Sequence, residues 1–166
     1  MTRQPSVSFT RPNDTTAYAS GDLVADTTTA SAVTPMTFSI DPAGPGGTYL
    51  IRRAIIGKTG TGITNASFRL HIYKSLPTVA NGDNGAWSST SSGYVGSIDI
   101  AVDKAFSDGA SGSGTLVSST GPELQAILAP TGKLYGLLEA RGVYTPTAQE
   151  VFTVTLEAYD RFIVLS

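Results

Sequence analysis

The feature that most constrains the fold is a set of short runs in which apolar and polar residues alternate. In Ser67–Tyr73 one register is apolar (Phe68, Leu70 and Ile72), which is typical of a strand with one buried face. Pro77 lacks an amide proton and ends the run, and Asn81–Gly85 then supplies residues that suit a turn. We therefore predict a strand followed by a displayed loop that closes at Trp87, the only tryptophan.

Other segments repeat this pattern along the chain. Tyr49–Gly57 has apolar residues in both registers, which indicates either a central strand or a bulge. Lys133–Arg141 has helical propensity, but glycines interrupt and bracket it, so we predict a strand there. The remaining predicted strands are Ser6–Phe9, Pro35–Ile40, Tyr94–Val102, Pro122–Leu128 and Val151–Tyr159.

Short strands joined by many turns predict an all-β chain. We expect an antiparallel β-sandwich of about eight strands, jelly-roll-like in the first instance and immunoglobulin-like in the second. The expected organisation is an N-terminal arm (1–5), one sandwich domain (6–160) and an extended apolar C-terminal tail (161–166). Long Gly/Ser-rich loops are expected between the strands, and the composition of Ser107–Gly114 predicts a flexible linker.

Composition excludes several classes of function. The net charge is −2 and no basic stripe occurs, so we expect no nucleic-acid partner. The absence of cysteine excludes disulfides and thiolate metal sites. No apolar run reaches the roughly 18 residues of a membrane helix, and the N-terminus lacks the pattern of a signal peptide. We therefore expect synthesis in a cytoplasm and no membrane partner.

Candidate catalytic residues are few. His71 is the only histidine, and its place on the polar face of a strand predicts a surface or interface residue rather than a general base. Asn81–Gly85 offers one carboxylate, which is a poor set of ligands for calcium. We predict no enzyme activity, no metal and no cofactor. Six aromatic residues could instead line a sugar-binding face or serve as core: Tyr49, Tyr73, Trp87, Tyr94, Tyr135 and Tyr144.

Several segments resemble small β-sandwich proteins encoded among the head genes of tailed bacteriophages. FRLHIYKSLPTVANGDNGAW and GYVGSIDI resemble a strand of those proteins, its Pro-Thr loop and the turn that follows. LYGLLEARGVYTPTAQEVFTVTLEAYD resembles their last two strands, and AYASGDLVA resembles their opening turn. Together these segments cover about half of the chain, and their motifs are structural.

The resemblance implies a capsid decoration (cement) protein with a jelly-roll-like fold. Such proteins are commonly trimeric and bind the outside of the phage head, so the implied partners are the major capsid protein and copies of this chain. For inter-subunit contact we single out Arg3, Phe162, Ile163 and Leu165. The alternative is a host-glycan-binding module of a phage tail or fibre, with Trp87 and Tyr94 as its platform.

Overall fold

A computed structural model describes residues 2–40, 48–116, 124–127 and 132–160 of the chain. Within these residues the secondary structure is β, apart from one short 3-10 turn at Ala30–Ala32. None of the helical structure described is long or apolar enough to cross a membrane. The strands are β1 (Thr2–Arg3), β2 (Ser6–Thr10), β3 (Leu23–Val24), β4 (Met36–Ser39), β5 (Thr48–Lys58), β6 (Ser67–Tyr73), β7 (Tyr94–Phe106), β8 (Gly109–Thr115), β9 (Leu124–Ile127), β10 (Lys133–Ala140) and β11 (Val151–Asp160).

The strand pairings define a jelly roll. The first sheet has the order β2-β11-β5-β8 and the second has the order β4-β10-β6-β7, with every pair antiparallel. The short strands β1, β3 and β9 pair with the parts of β11, β10 and β5 that lie beyond their pairings with β2, β4 and β8. When the other eight are numbered in chain order, the sheets read 1-8-3-6 and 2-7-4-5, which is jelly-roll order. The predicted fold class is confirmed.

The two sheets are joined on one side by β7. Its first half pairs with β6 in the second sheet, and its last residues pair with β8 in the first sheet. On the opposite side each sheet ends in an edge strand, β2 in the first and β4 in the second. We call the gap between Ser6–Thr10 and Met36–Ser39 the open seam.

The alternation of the strands builds one core between the sheets. Phe68 of β6 and Phe152 of β11 are fully buried, and their rings meet edge to face with centroids 5.4 Å apart. The predicted inward register of the last strand is confirmed, because Phe152, Val154, Leu156 and Ala158 are all buried. Full burial of each large apolar side chain favours folding by roughly 1.5–3 kcal/mol.

Both explanations offered for Tyr49–Gly57 hold in β5. The strand is central, between β11 and β8. It also bulges, since Glu157 pairs with Arg53 while the next residue of β11, Ala158, pairs with Ile51. Arg52 is the extra residue, and it shifts the buried register from Ile51 to Ala54.

The prediction of a flexible linker over Ser107–Gly114 is wrong. Gly109–Thr115 is β8, which pairs with both β5 and β7. A Cβ atom at Gly112 would lie 1.9 Å from the carbonyl oxygen of Ala101, and one at Gly114 equally close to that of Asp99. Glycine at these two positions lets β7 lie close to β8 beside the bulge of β7. Composition alone does not distinguish a glycine that allows close packing from one that makes the chain flexible.

The termini differ in part from the sequence prediction. Two residues of the expected N-terminal arm form β1, in which Thr2 pairs with Tyr159 and Arg3 with Ala158, so the arm is not free there. The predicted strands at Lys133–Arg141 and Pro122–Leu128 are found as β10 and β9. The predicted tail, residues 161–166, lies outside the described residues.

We expect Gly112→Ala to lower the free energy of unfolding by about 1–3 kcal/mol, because its Cβ would meet backbone that cannot move without disturbing β7. Gly57→Ala in β5 is the matched control, since nothing lies within 4 Å of the added Cβ. Urea denaturation of the two variants measures the difference. Equal stabilities would contradict a packing role for Gly112.

Candidate functional site

The first candidate is a group of stacked side chains on the outer face of the second sheet, which we call the aromatic cluster: His71, Tyr73, Trp87 and Tyr94. The Trp87 ring lies parallel to His71 with centroids 4.0 Å apart. Tyr94 meets Tyr73 edge to face at 5.2 Å. Trp87 also packs against a small second core of Leu23, Ala25, Tyr73 and Leu137.

In this arrangement His71 and Trp87 are less exposed to solvent than the sequence predicts. His71 is only 8% exposed, so the expectation of a surface histidine is wrong. The polar face of β6 is covered because Trp87 folds over it. Trp87 is half-buried with one ring face on His71, whereas Tyr94 is 44% exposed. Of the predicted ligand platform, Tyr94 is therefore the member that solvent reaches most.

The polar contacts of His71 define its protonation state. Its Nε2 lies 2.7 Å from Glu139 Oε2, and its Nδ1 lies 3.4 Å from the Tyr94 hydroxyl. Burial lowers the pKa of His71, although the neighbouring Glu139 acts in the opposite direction. At neutral pH the ring is uncharged, with the Nε2 proton donated to Glu139. Glu139 in turn accepts a hydrogen bond from Arg141 at 2.9 Å.

The loop Asn81–Gly85 is anchored rather than displayed, which corrects the sequence prediction. Asp83 is buried, and its carboxylate accepts hydrogen bonds from the Arg11 guanidinium at 2.9 Å, the Tyr18 hydroxyl at 2.6 Å and the Ala25 amide at 2.8 Å. Burial, reinforced by the Asp83 charge, raises the pKa of Tyr18, so the hydroxyl stays protonated and donates. The carboxylate oxygens that calcium would need are already hydrogen-bonded.

Sequence reasoning missed Arg11 and Tyr18, although one signal for Arg11 is present. Val7 and Phe9 alternate toward the core, and Arg11 is the next residue in that register. A buried arginine requires a buried carboxylate, because an unpaired charge inside a protein is costly. Asp83 is 72 residues away in sequence, and no local pattern links the two.

A second buried network involves Tyr144, another predicted aromatic residue. Its hydroxyl donates to Glu150 at 2.7 Å, and Lys58 Nζ lies 3.2 Å from the same carboxylate. All three side chains are buried, and burial raises the pKa of Tyr144. Tyr144 therefore belongs to the interior, away from any sugar-binding face. Within the described residues, no three His, Asp or Glu side chains are grouped as a metal site would require.

The second candidate is the open seam, where no other strand of the described residues pairs with the edge of β2 that faces away from β11. The Leu156 amide donates to the Pro5 carbonyl and the Arg11 amide donates to the Glu150 carbonyl, so Val7 and Phe9 also direct their backbone groups toward β11. The N–H and C=O groups of the alternate residues point away from β11 into the seam: Ser6, Ser8 and Thr10.

The β4 edge of the seam has the same character. The Ile40 amide donates to the Gly132 carbonyl, which places Thr37 and Ser39 with their backbone groups directed away from β10. A groove of about 360 Å³ runs between the two edges. Its lining includes half-buried Val7 and Phe9 and buried Met36. The seam thus combines free strand edges with incompletely covered apolar side chains.

The residues predicted for inter-subunit contact are only partly described. Arg3 is half-buried in β1, and its Nε is buried without a hydrogen-bond partner among the described residues. Phe162, Ile163 and Leu165 lie outside the described residues, so the structure does not place them. Their role in contact stays a prediction.

Comparison of the chain with protein-family models, with curated proteins and with solved structures finds no match.

The buried His71 predicts a specific pH dependence. Its pKa in the folded protein is below the ordinary value of 6.5, so between these two values the unfolded chain binds more protons. Stability from the neutral ring is therefore complete above about pH 6.5 and declines as the pH falls below it. We expect the stability advantage of the wild type over His71→Gln to shrink with falling pH in urea denaturation, because this is the only histidine. An advantage that is constant or grows toward acid pH would contradict the assignment.

Proposed function

We propose that this chain is a structural protein of a phage particle, namely a capsid decoration (cement) protein that binds the outside of the head. The observation that carries the proposal is the jelly-roll order of the two sheets, a fold used by viral capsid and lectin domains. A fold alone does not define a function. Among the functions that a jelly roll can have, the resemblance of the strand and turn segments to phage head proteins favours a role in the capsid.

The open seam is compatible with a role in assembly. Strand edges with free backbone groups invite pairing with another chain, and half-buried apolar residues beside them add contact area. On a capsid, the same contact is repeated at every equivalent position, so modest individual affinities add up through multivalency. The proposed partners are the major capsid protein and further copies of this chain as a homotrimer. The proposed location is the capsid surface, after synthesis in the host cytoplasm.

The number of copies of this chain per purified particle tests the proposal most simply. We expect the ratio to the major capsid protein to be one, or another simple fraction, because a decoration protein occupies every equivalent site on the head. Quantitative mass spectrometry of particles measures this ratio. Absence of the chain from particles would contradict any virion role, and a very low copy number would place it outside the head shell.

The second candidate is a host-glycan-binding module of a tail or fibre, favoured by the exposed ring of Tyr94 in the aromatic cluster. Aromatic rings present an apolar face and a polar edge that suit a sugar. Under this alternative, Tyr94→Ala abolishes binding to host surface polysaccharide. Phe106→Ala is the control, since Phe106 is 53% exposed at the turn between β7 and β8. If the chain is instead a head decoration protein, we expect neither Tyr94→Ala nor Phe106→Ala to change polysaccharide binding.

A further inference from the structure

We propose that the open seam accepts the segment Arg161–Ser166 of a second copy of this chain, which adds as a strand to the free edge of β2. Copies would then associate by exchanging their C-terminal segments. The proposal rests on the part of the proposed function that names copies of this chain as partners, and its test on the isolated chain can fail while the phage role stands.

The acceptor edge is defined by the register of β2. Ser6, Ser8 and Thr10 direct their backbone groups into the seam, as the register with β11 requires. At its C-terminal end the edge is limited by Pro12, because proline has no N–H to donate to an added strand.

The apolar residues of the segment match the apolar part of the groove, whose lining also includes the polar residues Asp26, Thr34 and Thr37. Phe162, Ile163, Val164 and Leu165 are four consecutive apolar residues, and aromatic and β-branched side chains favour strands. The groove offers Val7 and Phe9, which are half-buried, together with Met36. A strand added to β2 would cover these side chains and satisfy the free backbone groups of the edge.

The segment cannot reach the Ser8–Thr10 part of its own seam, so a segment that binds there must come from another copy. Ser8 pairs with Thr153, seven residues before the end of β11 at Asp160, which is about 24 Å along the strand. Leu165 lies five residues beyond Asp160, and five fully extended residues span at most about 18 Å. The apolar residues of the segment therefore cannot lie beside Ser8 or Thr10 of the same chain.

The first test removes one backbone N–H from the acceptor edge by a single substitution. Ser8→Pro removes an N–H that points into the seam and leaves the ladder to β11 intact. Ser8→Ala is the matched control, because both variants lose the 2.8 Å hydroxyl contact with Thr153 but only proline removes the N–H. In sedimentation equilibrium of the full chain we expect Ser8→Pro to weaken self-association at least about tenfold relative to Ser8→Ala. Equal association by the two variants, or a monomeric wild type at all concentrations, would overturn the proposal.

The second test does not depend on the proline variant folding. The chain has no cysteine, so single cysteines can be introduced without competing thiols. A Ser8→Cys chain is mixed with an Ile163→Cys chain or with a Val164→Cys chain and oxidised. Neighbouring residues of a strand point to opposite faces, so we expect a disulfide-linked dimer with one of the two positions and little with the other. No cross-link, or equal cross-linking at both positions, would overturn the proposal.

Discussion

The rest of the structure depends on the way in which β7 is shared between the two sheets. One strand of thirteen residues closes the sandwich on one side, and the close approach to β8 that this requires is possible because Gly112 and Gly114 carry no side chain. No strand performs this role between β2 and β4 in the part of the chain that is described. One side of the sandwich is therefore closed by a shared strand, whereas at the open seam β2 and β4 keep backbone groups that are directed away from their sheets.

Two buried ionic networks hold the loops that the sheets leave at the ends of the sandwich. Asp83 attaches the Asn81–Gly85 loop to Arg11, directly after β2, and Glu150 links Lys58 to Tyr144. Loss of one member of such a buried pair costs about 3–5 kcal/mol, since the other charge is left without a partner. Arg11 directly follows β2, so its buried ion pair with Asp83 holds that end of the strand in a fixed position. A preorganised edge reduces the ordering that binding requires.

Much of the fold was predictable from the sequence because most strands here bury one face. In Val151–Tyr159, for example, the alternation of apolar and polar residues predicts correctly which side chains are buried. The prediction failed where tertiary contacts override local pattern. Gly109–Thr115 has the composition of a linker but is a strand, and the polar face around His71 is covered by Trp87, which folds back from the loop between β6 and β7. The pairing of Arg11 with Asp83 is not visible in sequence, because no period connects residues so far apart. The free edges of the seam likewise follow only from the register of the strands.

The central claim is that the backbone groups of β2 which face the seam are free in the isolated chain and are paired on association. Amide hydrogen exchange at individual residues measures this directly. In dilute protein we expect rapid exchange at Ser8 and Thr10 and slow exchange at Val7 and Phe9, whose N–H groups are directed toward β11. In concentrated, self-associated protein Ser8 and Thr10 should become protected as well. Exchange at Ser8 and Thr10 that is already slow in dilute protein, or that stays rapid after association, would contradict the account.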